Sequence, residues 1–232
     1  MQFDNLMFRR FVDSIWKGSV SALLSNITYY AHHKDDHTDE TLTLAKEHAE
    51  REGIQTVVLA STTGATASRA LEVSRNSAIR LVIVPHQFGF SRKGNAFPKE
   101  LANELRAAGH EVFFGTMLFH TEKLYGNNAP ALIASFLRCF SQGVKVCFEI
   151  ALMAADAGLV AEGERIVSVA GTARGADTAL VMQAAPSVRH THLRSVKFCA
   201  SRSMNCPPAA KMTHTPNFVP TQYTNDIGVF KI

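Results

Sequence analysis

Apolar positions along the chain switch between a helical and a strand period, and the switches mark the elements. Leu42, Ala45 and Ala49 recur at helical spacing. Thr38 stands where an N-cap belongs, and Asp39 and Glu40 follow in the first turn, where the helix dipole favours acids. Glu47 and Arg51 make an i,i+4 pair, and Gly53 stops the helix. Ile54 to Ala60 is a β-branched run bounded by turn signals, which predicts a buried strand. The unit then repeats. Loop Ser61–Thr66 leads into helical composition from Ala67 to Val73, and a second strand, Ile79 to Val84, ends at Pro85. Pro98 to Ala108 is a helix with Pro at its start and Gly109 after its end. Glu111 to Phe114 is a third strand. Two apolar helices, Ala131 to Phe140 and Val144 to Ala157, are broken near Gly143. Arg165 to Ala170 and Thr178 to Met182 complete the set as strands four and five.

Strands alternating with helices predict an α/β fold with a mostly parallel sheet covered on both faces. The loop Gly171–Asp177 is too short for a parallel crossover, so the fifth strand should run antiparallel to the fourth. Residues 1–26 read as an N-terminal extension, 27–185 as the α/β domain, and 186–232 as a basic, poorly patterned tail punctuated by prolines.

Composition narrows the function classes. The 232 residues are 46% hydrophobic and 19% charged, which is ordinary globular usage. The most apolar stretch, Val144 to Val160, contains Lys145, Glu149 and Asp156, so no membrane span is expected. Residues 1–185 hold 18 basic and 19 acidic side chains, whereas 186–232 hold six basic and one acidic. The positive charge therefore belongs to the tail and not to the folded body, and no nucleic-acid partner is expected. Cys139, Cys147, Cys199 and Cys206 form no C-x-x-C pair. Cys139 and Cys147 read as small core residues, and the set reads as reduced and intracellular. A cytoplasmic location is expected. Arg9, Arg10 and Lys17 also fit an organelle-targeting helix, against which Asp4 and Asp13 speak.

The strongest candidate site is Ser61-Thr62-Thr63-Gly64-Ala65-Thr66. Its hydroxyls, its glycine and the free N–H groups of a helix start make a phosphate cradle. It lacks the Gly-Lys-Ser/Thr ending of a P-loop and is not a G-x-G-x-x-G fingerprint. The same residues also suit an N-cap without a ligand. The second candidate is Gly171-Thr172-Ala173-Arg174-Gly175-Ala176-Asp177. Arg174 has the geometry to clamp a phosphate, and Asp177 to accept from a ribityl or sugar hydroxyl. A hairpin turn with an Arg174–Asp177 pair is the alternative. If strands one and four adjoin, both loops lie at the point where the strand order reverses, which is where open α/β sheets bind ligands. His86, Gly89, Phe90 and Thr116 follow the second and third strands and could line the same rim, Phe88 or Phe90 stacking on a ring. His32 to His37 offers metal-type ligands without a recognised spacing and reads as a solvated face. Lys145–Glu149 reads as a structural pair and Asp156 as structural too. Ser61 with His86 or His120 has the residue types of a nucleophile and base, but no elbow motif supports it.

The run Gln142 to Leu159, followed by Gly171 to Ala179, resembles the stand-alone pyruvate kinase C-terminal-domain-like proteins, and Thr38 to Leu42 and Ala60 to Gly64 fit the same family. The resemblance covers about residues 27–185. It implies a three-layer α/β/α sandwich with a mixed five-stranded sheet, order 3-2-1-4-5, strand 5 antiparallel. It also implies a flavin mononucleotide (FMN) site. Ser61, Thr62, Thr63, Gly64 and Thr66 would hold the phosphate; Gly171, Thr172, Arg174, Gly175 and Asp177 would close the other side. Ala65 stands where a basic or polar residue would strengthen the cradle. Nothing in the sequence resembles the catalytic barrel of pyruvate kinase, so transfer from phosphoenolpyruvate is not expected. The expected ligand is a small phosphorylated molecule. A non-catalytic sensor of a sugar phosphate or nucleotide is the alternative, and a structural protein with an empty cleft is a third. A homo-oligomer stays open.

Overall fold

The computed structural model describes residues 26–30, 35–90, 94–122, 126 and 128–202. Seven strands make one mixed sheet: β1 (Thr28–Tyr30), β2 (Thr56–Ala60), β3 (Arg80–Val84), β4 (Glu111–Val112), β5 (Arg165–Ala170), β6 (Thr178–Gln183) and β7 (Arg194–Arg202). Their order is β1-β7-β6-β5-β2-β3-β4. β2, β3, β4 and β5 run parallel to one another, and β6 is antiparallel to β5. The run β4-β3-β2-β5-β6 is the expected five-strand order, but five strands was an undercount. β7 pairs antiparallel with β6, and β1 pairs parallel with β7. Neither addition shows in the apolar pattern, for a physical reason. β7 contains Arg194, Ser195, Lys197 and Arg202 on a half-exposed strand, and β1 is only three residues long.

Among the described residues, the sheet is covered by α1 (Thr38–Arg51), α2 (Ala65–Ser74), α3 (Lys99–Ala107), α4 (Ala129–Leu137) and α5 (Gln142–Asp156). Alternation along each strand sends neighbours to opposite faces. Val57, Leu59, Leu81 and Ile83 meet Leu42 and Ala45 of α1, Ala67 and Ala70 of α2, and Leu105 of α3. Val58, Val82, Ile166 and Leu180 meet Val144, Cys147, Ile150 and Ala151 of α5. α4 forms the outer cover of α5 through Ala134 against Leu152 and Phe119. The result is an α/β/α sandwich. Cys139, expected in the core, is exposed in the turn that follows α4; Cys147 and Cys199 are buried. Cys206 lies outside the described residues.

The start of α1 does work that its sequence did not announce. Thr38 is the first helical residue and not the cap, which is His37. The Thr38 amide donates to Asp36 Oδ1 at 3.0 Å. The Thr38 hydroxyl accepts from the Ala176 amide at 2.9 Å, and the Thr41 hydroxyl donates to the Ala176 carbonyl at 3.2 Å. Two threonines one helical turn apart thus hold both polar groups of one residue in the loop after β5. Arg69 of α2 ties back to Asp36 and Asp39, each at 2.5 Å.

Thr38→Val keeps the shape but strands the buried Ala176 amide. The expected loss is about 1–3 kcal/mol of unfolding free energy, measured by denaturant titration. Thr38→Ser keeps an acceptor there and should retain most of it.

Candidate functional site

Register decides where the two candidate loops stand. β2 and β5 are neighbours, with Leu59 opposite Val169. Two residues further along this parallel ladder, Ser61 and Gly171 leave the sheet at the same level. The strand order reverses between β2 and β5, so the edge has the crevice expected of open α/β sheets. The crevice is a cleft of about 650 Å³, within the roughly 300–1,000 Å³ usual for small-molecule sites.

One wall is the β2–α2 loop. Ser61, Thr62, Thr63 and Thr66 line the cleft, as does Ala65. Thr62 and Thr63 are exposed, whereas Ser61 and Thr66 are buried. Ser61 Oγ accepts from the Ala67 amide at 3.2 Å, so this hydroxyl is partly spent on holding the helix start. The Ala65 and Thr66 amides open α2 and, like those of any first turn, have no intrahelical acceptor. Gly64 does not line the cleft. Its backbone sits at φ 88°, and a Cβ there would stand 2.6 Å from Leu101 Cδ2, so glycine is required by the turn.

The second wall is the β5–β6 loop. Gly171, Thr172, Arg174 and Gly175 line the cleft. Gly175 adopts φ 69°, and a side chain there would collide with the Thr38 hydroxyl. Thr172 Oγ1 is buried and has no hydrogen-bond partner among the described residues. Arg174 is exposed and makes no ion pair among the described residues. The alternative, an Arg174–Asp177 pair, is not formed among the described residues. Asp177 instead turns inward, accepting from the Thr172 amide at 3.0 Å and from Thr178 Oγ1 at 2.8 Å, with Arg202 3.7 Å away. It shapes the loop and does not line the cleft.

The remaining predicted residues divide. His86 and Phe90 line the cleft; Gly89 and Thr116 do not. Phe90 meets His86 edge-on with ring centres 4.7 Å apart, and His120 likewise at 5.4 Å. Phe88 is exposed and leans on Phe114. His32 and His33 lie outside the described residues, and His37 stacks on Tyr30 at 4.1 Å. Asp156 sits at the far end of α5, accepting from the Ser187 amide.

The Lys145–Glu149 pair, expected as a structural pair and not as part of the site, forms the inner wall. Lys145 and Glu149 line the cleft with side chains only 1% and 2% exposed. Lys145 Nζ donates to Glu149 Oε2 at 2.5 Å and lies 3.0 Å from His120 Nε2. The Phe119 amide donates to Glu149 Oε1 at 2.8 Å. Burial pushes the Lys145 ammonium below the usual lysine range, against the pull of Glu149. His86 and His120 are both shifted down, chiefly by burial; His120 adds to the effect on His86, and Lys145 adds to it on His120. The available signal was two opposite charges one turn apart within a helix otherwise made of core residues.

The sequence matches a family model described as the pyruvate kinase alpha/beta domain over residues 39–182, more than half of the chain. Among solved structures, a pyruvate kinase from Cryptosporidium parvum is similar at 14% identity and a TM-score of 0.37, covering 66% of this chain and 24% of its own. A structure of Cryptosporidium parvum pyruvate kinase in complex with ADP is similar at 15% identity and a TM-score of 0.34, covering 65% and 24%. The chain spans about a quarter of the length of these enzymes.

Two outcomes test the inner wall. Lys145→Met leaves a buried carboxylate unpaired and should cost about 3–5 kcal/mol, while Lys145→Met with Glu149→Leu recovers much of it. Both are read by thermal and denaturant unfolding. The second outcome concerns pH. Histidines held low bind fewer protons folded than unfolded, so stability is fully present above the unfolded value of about 6.5 and is lost as pH falls through it toward the folded values. Unfolding free energy should therefore drop between about pH 7 and pH 5, and less steeply in His86→Gln. His48 and His110, also shifted down by burial, keep part of the slope.

Proposed function

The chain belongs to the pyruvate kinase alpha/beta-domain family, and on that premise we propose that it binds a small phosphate ester in the cleft between the β2–α2 and β5–β6 loops. The observation that carries this reading is the convergence on one cleft of the α2 N-terminus, the Thr62, Thr63 and Thr66 side chains, and the Thr172 hydroxyl and Arg174 guanidinium, which have no partner among the described residues. Amides at a helix start and a guanidinium favour an anion there.

FMN is the first ligand to test. Its fit rests on three features of this structure: a cleft of about 650 Å³, an anion-seeking rim, and the flat aromatic surface of Phe90 with His86 and His120. In that arrangement Thr63, Thr66 and Arg174 hold the phosphate, Thr172 accepts or donates along the chain, and Phe90 orients the ring. When bound, the flavin would supply redox chemistry, which the protein's own groups do not.

One observation favours a sugar phosphate instead. The inner wall is made of ionisable groups, Lys145, Glu149 and His120, which match hydroxyl and carbonyl oxygens better than a benzenoid ring edge. On that reading the chain responds to the ligand without redox chemistry.

Purified protein should take up FMN with a bound-flavin absorbance band. A colourless protein that refuses added FMN, while inorganic phosphate raises its melting temperature, assigns the cleft to another phosphate ester. Thr66→Val should weaken either ligand roughly tenfold, read by calorimetry, through loss of a hydrogen bond to a charged group. Unchanged affinity would remove the β2–α2 loop from the site. Gly64 is a poor probe, because any side chain there disturbs the turn itself.

A further inference from the structure

Phosphate anchoring uses the rim of the cleft and leaves the inner wall without a task. Four ionisable side chains from three segments converge there: His86 after β3, His120 from the 3-10 turn Leu118–His120, and Lys145 and Glu149 from α5. Taking two ions out of water is expensive, and apolar side chains of similar volume usually pack at no loss of stability.

The hydrogen bonds fix the protons. A lysine ammonium has hydrogens to give and no lone pair. As the ammonium partner of Glu149, Lys145 donates to His120 Nε2, which makes that nitrogen an acceptor. A neutral imidazole in this position carries its hydrogen on Nδ1. Glu149 secures the arrangement twice, accepting from Lys145 and from the Phe119 amide beside His120. The charged and titratable groups facing His120 are Lys145, Glu149, Glu122, Arg138 and His86. His86 is set up differently. Asn95 Nδ2 donates to its carbonyl at 2.7 Å, yet its ring makes no hydrogen bond among the described residues. Phe90 packs its ring against both imidazoles. One histidine is thus a fixed N–H donor, and the other an imidazole with a lone pair to use, at the same end of one cleft.

We propose that His86 and His120 form an acid–base pair that moves a proton on a phosphate ester carrying a hydroxyl-bearing carbon next to a carbonyl. The proposal rests on the phosphate being held at Ser61–Thr66 and not on flavin. The step balances without a co-reactant. The C–H bond beside the carbonyl breaks, and His86 takes the proton. That electron pair becomes the carbon–carbon double bond, and the carbonyl π pair moves to oxygen. His120 passes its Nδ1 hydrogen to that oxygen and takes back the hydroxyl hydrogen from its neighbour. His86 returns its proton to the former carbonyl carbon, giving the isomeric carbonyl compound. A neutral base and a neutral donor suit this chemistry near pH 7. Lys145 and Glu149 are positioning residues, because they act through His120.

The experiment incubates the full chain in D₂O with dihydroxyacetone phosphate and with ribulose 5-phosphate, and follows deuterium entry beside the carbonyl by NMR. Calorimetry with inorganic phosphate is run in parallel. Exchange above the buffer rate is expected with at least one ester, falling about 10²-fold or more in His86→Gln. Lys145→Met should raise the acid limb of the pH–rate profile, since it removes a cation and leaves Glu149 facing His120. If that variant does not fold, Lys145→Met with Glu149→Gln serves, and loss of the cation still raises the limb. Phosphate binding without exchange on either ester, or exchange undiminished in His86→Gln, overturns the acid–base pair and leaves the anchoring intact. Absence of phosphate binding overturns both.

Discussion

Main-chain pairing between β2 and β5 is the constraint on which the site depends. The two strands are far apart in sequence, and each carries a loop that alone is only a turn rich in glycine and hydroxyls. A parallel ladder with Leu59 opposite Val169 delivers both loops to one edge at one height. The buried branched residues on either face, such as Val57, Val58, Val167 and Val169, hold that register because a slip by one residue would send each face's apolar set to the other. Everything assigned to the cleft follows from this pairing, including the access of α5 residues to it, since α5 lies across the same strands.

The helical layers contribute unequally. α1 presents Thr38 and Thr41 to the β5–β6 loop, so a helix on one face of the sheet controls the wall of a cleft whose floor belongs to the other. α5 supplies the floor, and its two charged residues are accommodated because each finds a partner: Lys145 in Glu149 and His120, Glu149 in Lys145 and the Phe119 amide. Cys147, by contrast, is a buried thiol pushed far above its ordinary range by desolvation, bonded to the Ser168 carbonyl, and inert for that reason.

Much of this was legible in the residues. Branched runs between helical repeats located β2, β3, β5 and β6, and the brevity of Gly171–Asp177 gave β6 its direction. Ser61–Thr66 and Gly171–Arg174 were marked by glycines and hydroxyls after strands. What failed has identifiable causes. β7 and β1 lie toward the sheet edge, where polar side chains are tolerated and no clean alternation survives. Apolar density did not report burial: α4 leaves Leu132 and Phe136 exposed, whereas α5 buries even a lysine. Local spacing suits Thr38 to a cap, while its hydroxyl serves a residue 138 positions away. Asp177 looked like a ligand group, but a carboxylate with three donors around it is already occupied. Contacts across such separations leave no trace in a window of sequence.

The double claim of α1 on Ala176 has one more consequence. With its amide and carbonyl both engaged, each by a buried threonine, swinging that loop outward would break two hydrogen bonds together. The β5–β6 side is therefore a fixed doorpost. Across the cleft the wall is held differently: Phe90 stands 45% exposed, its ring set edge-on against the imidazoles of His86 and His120.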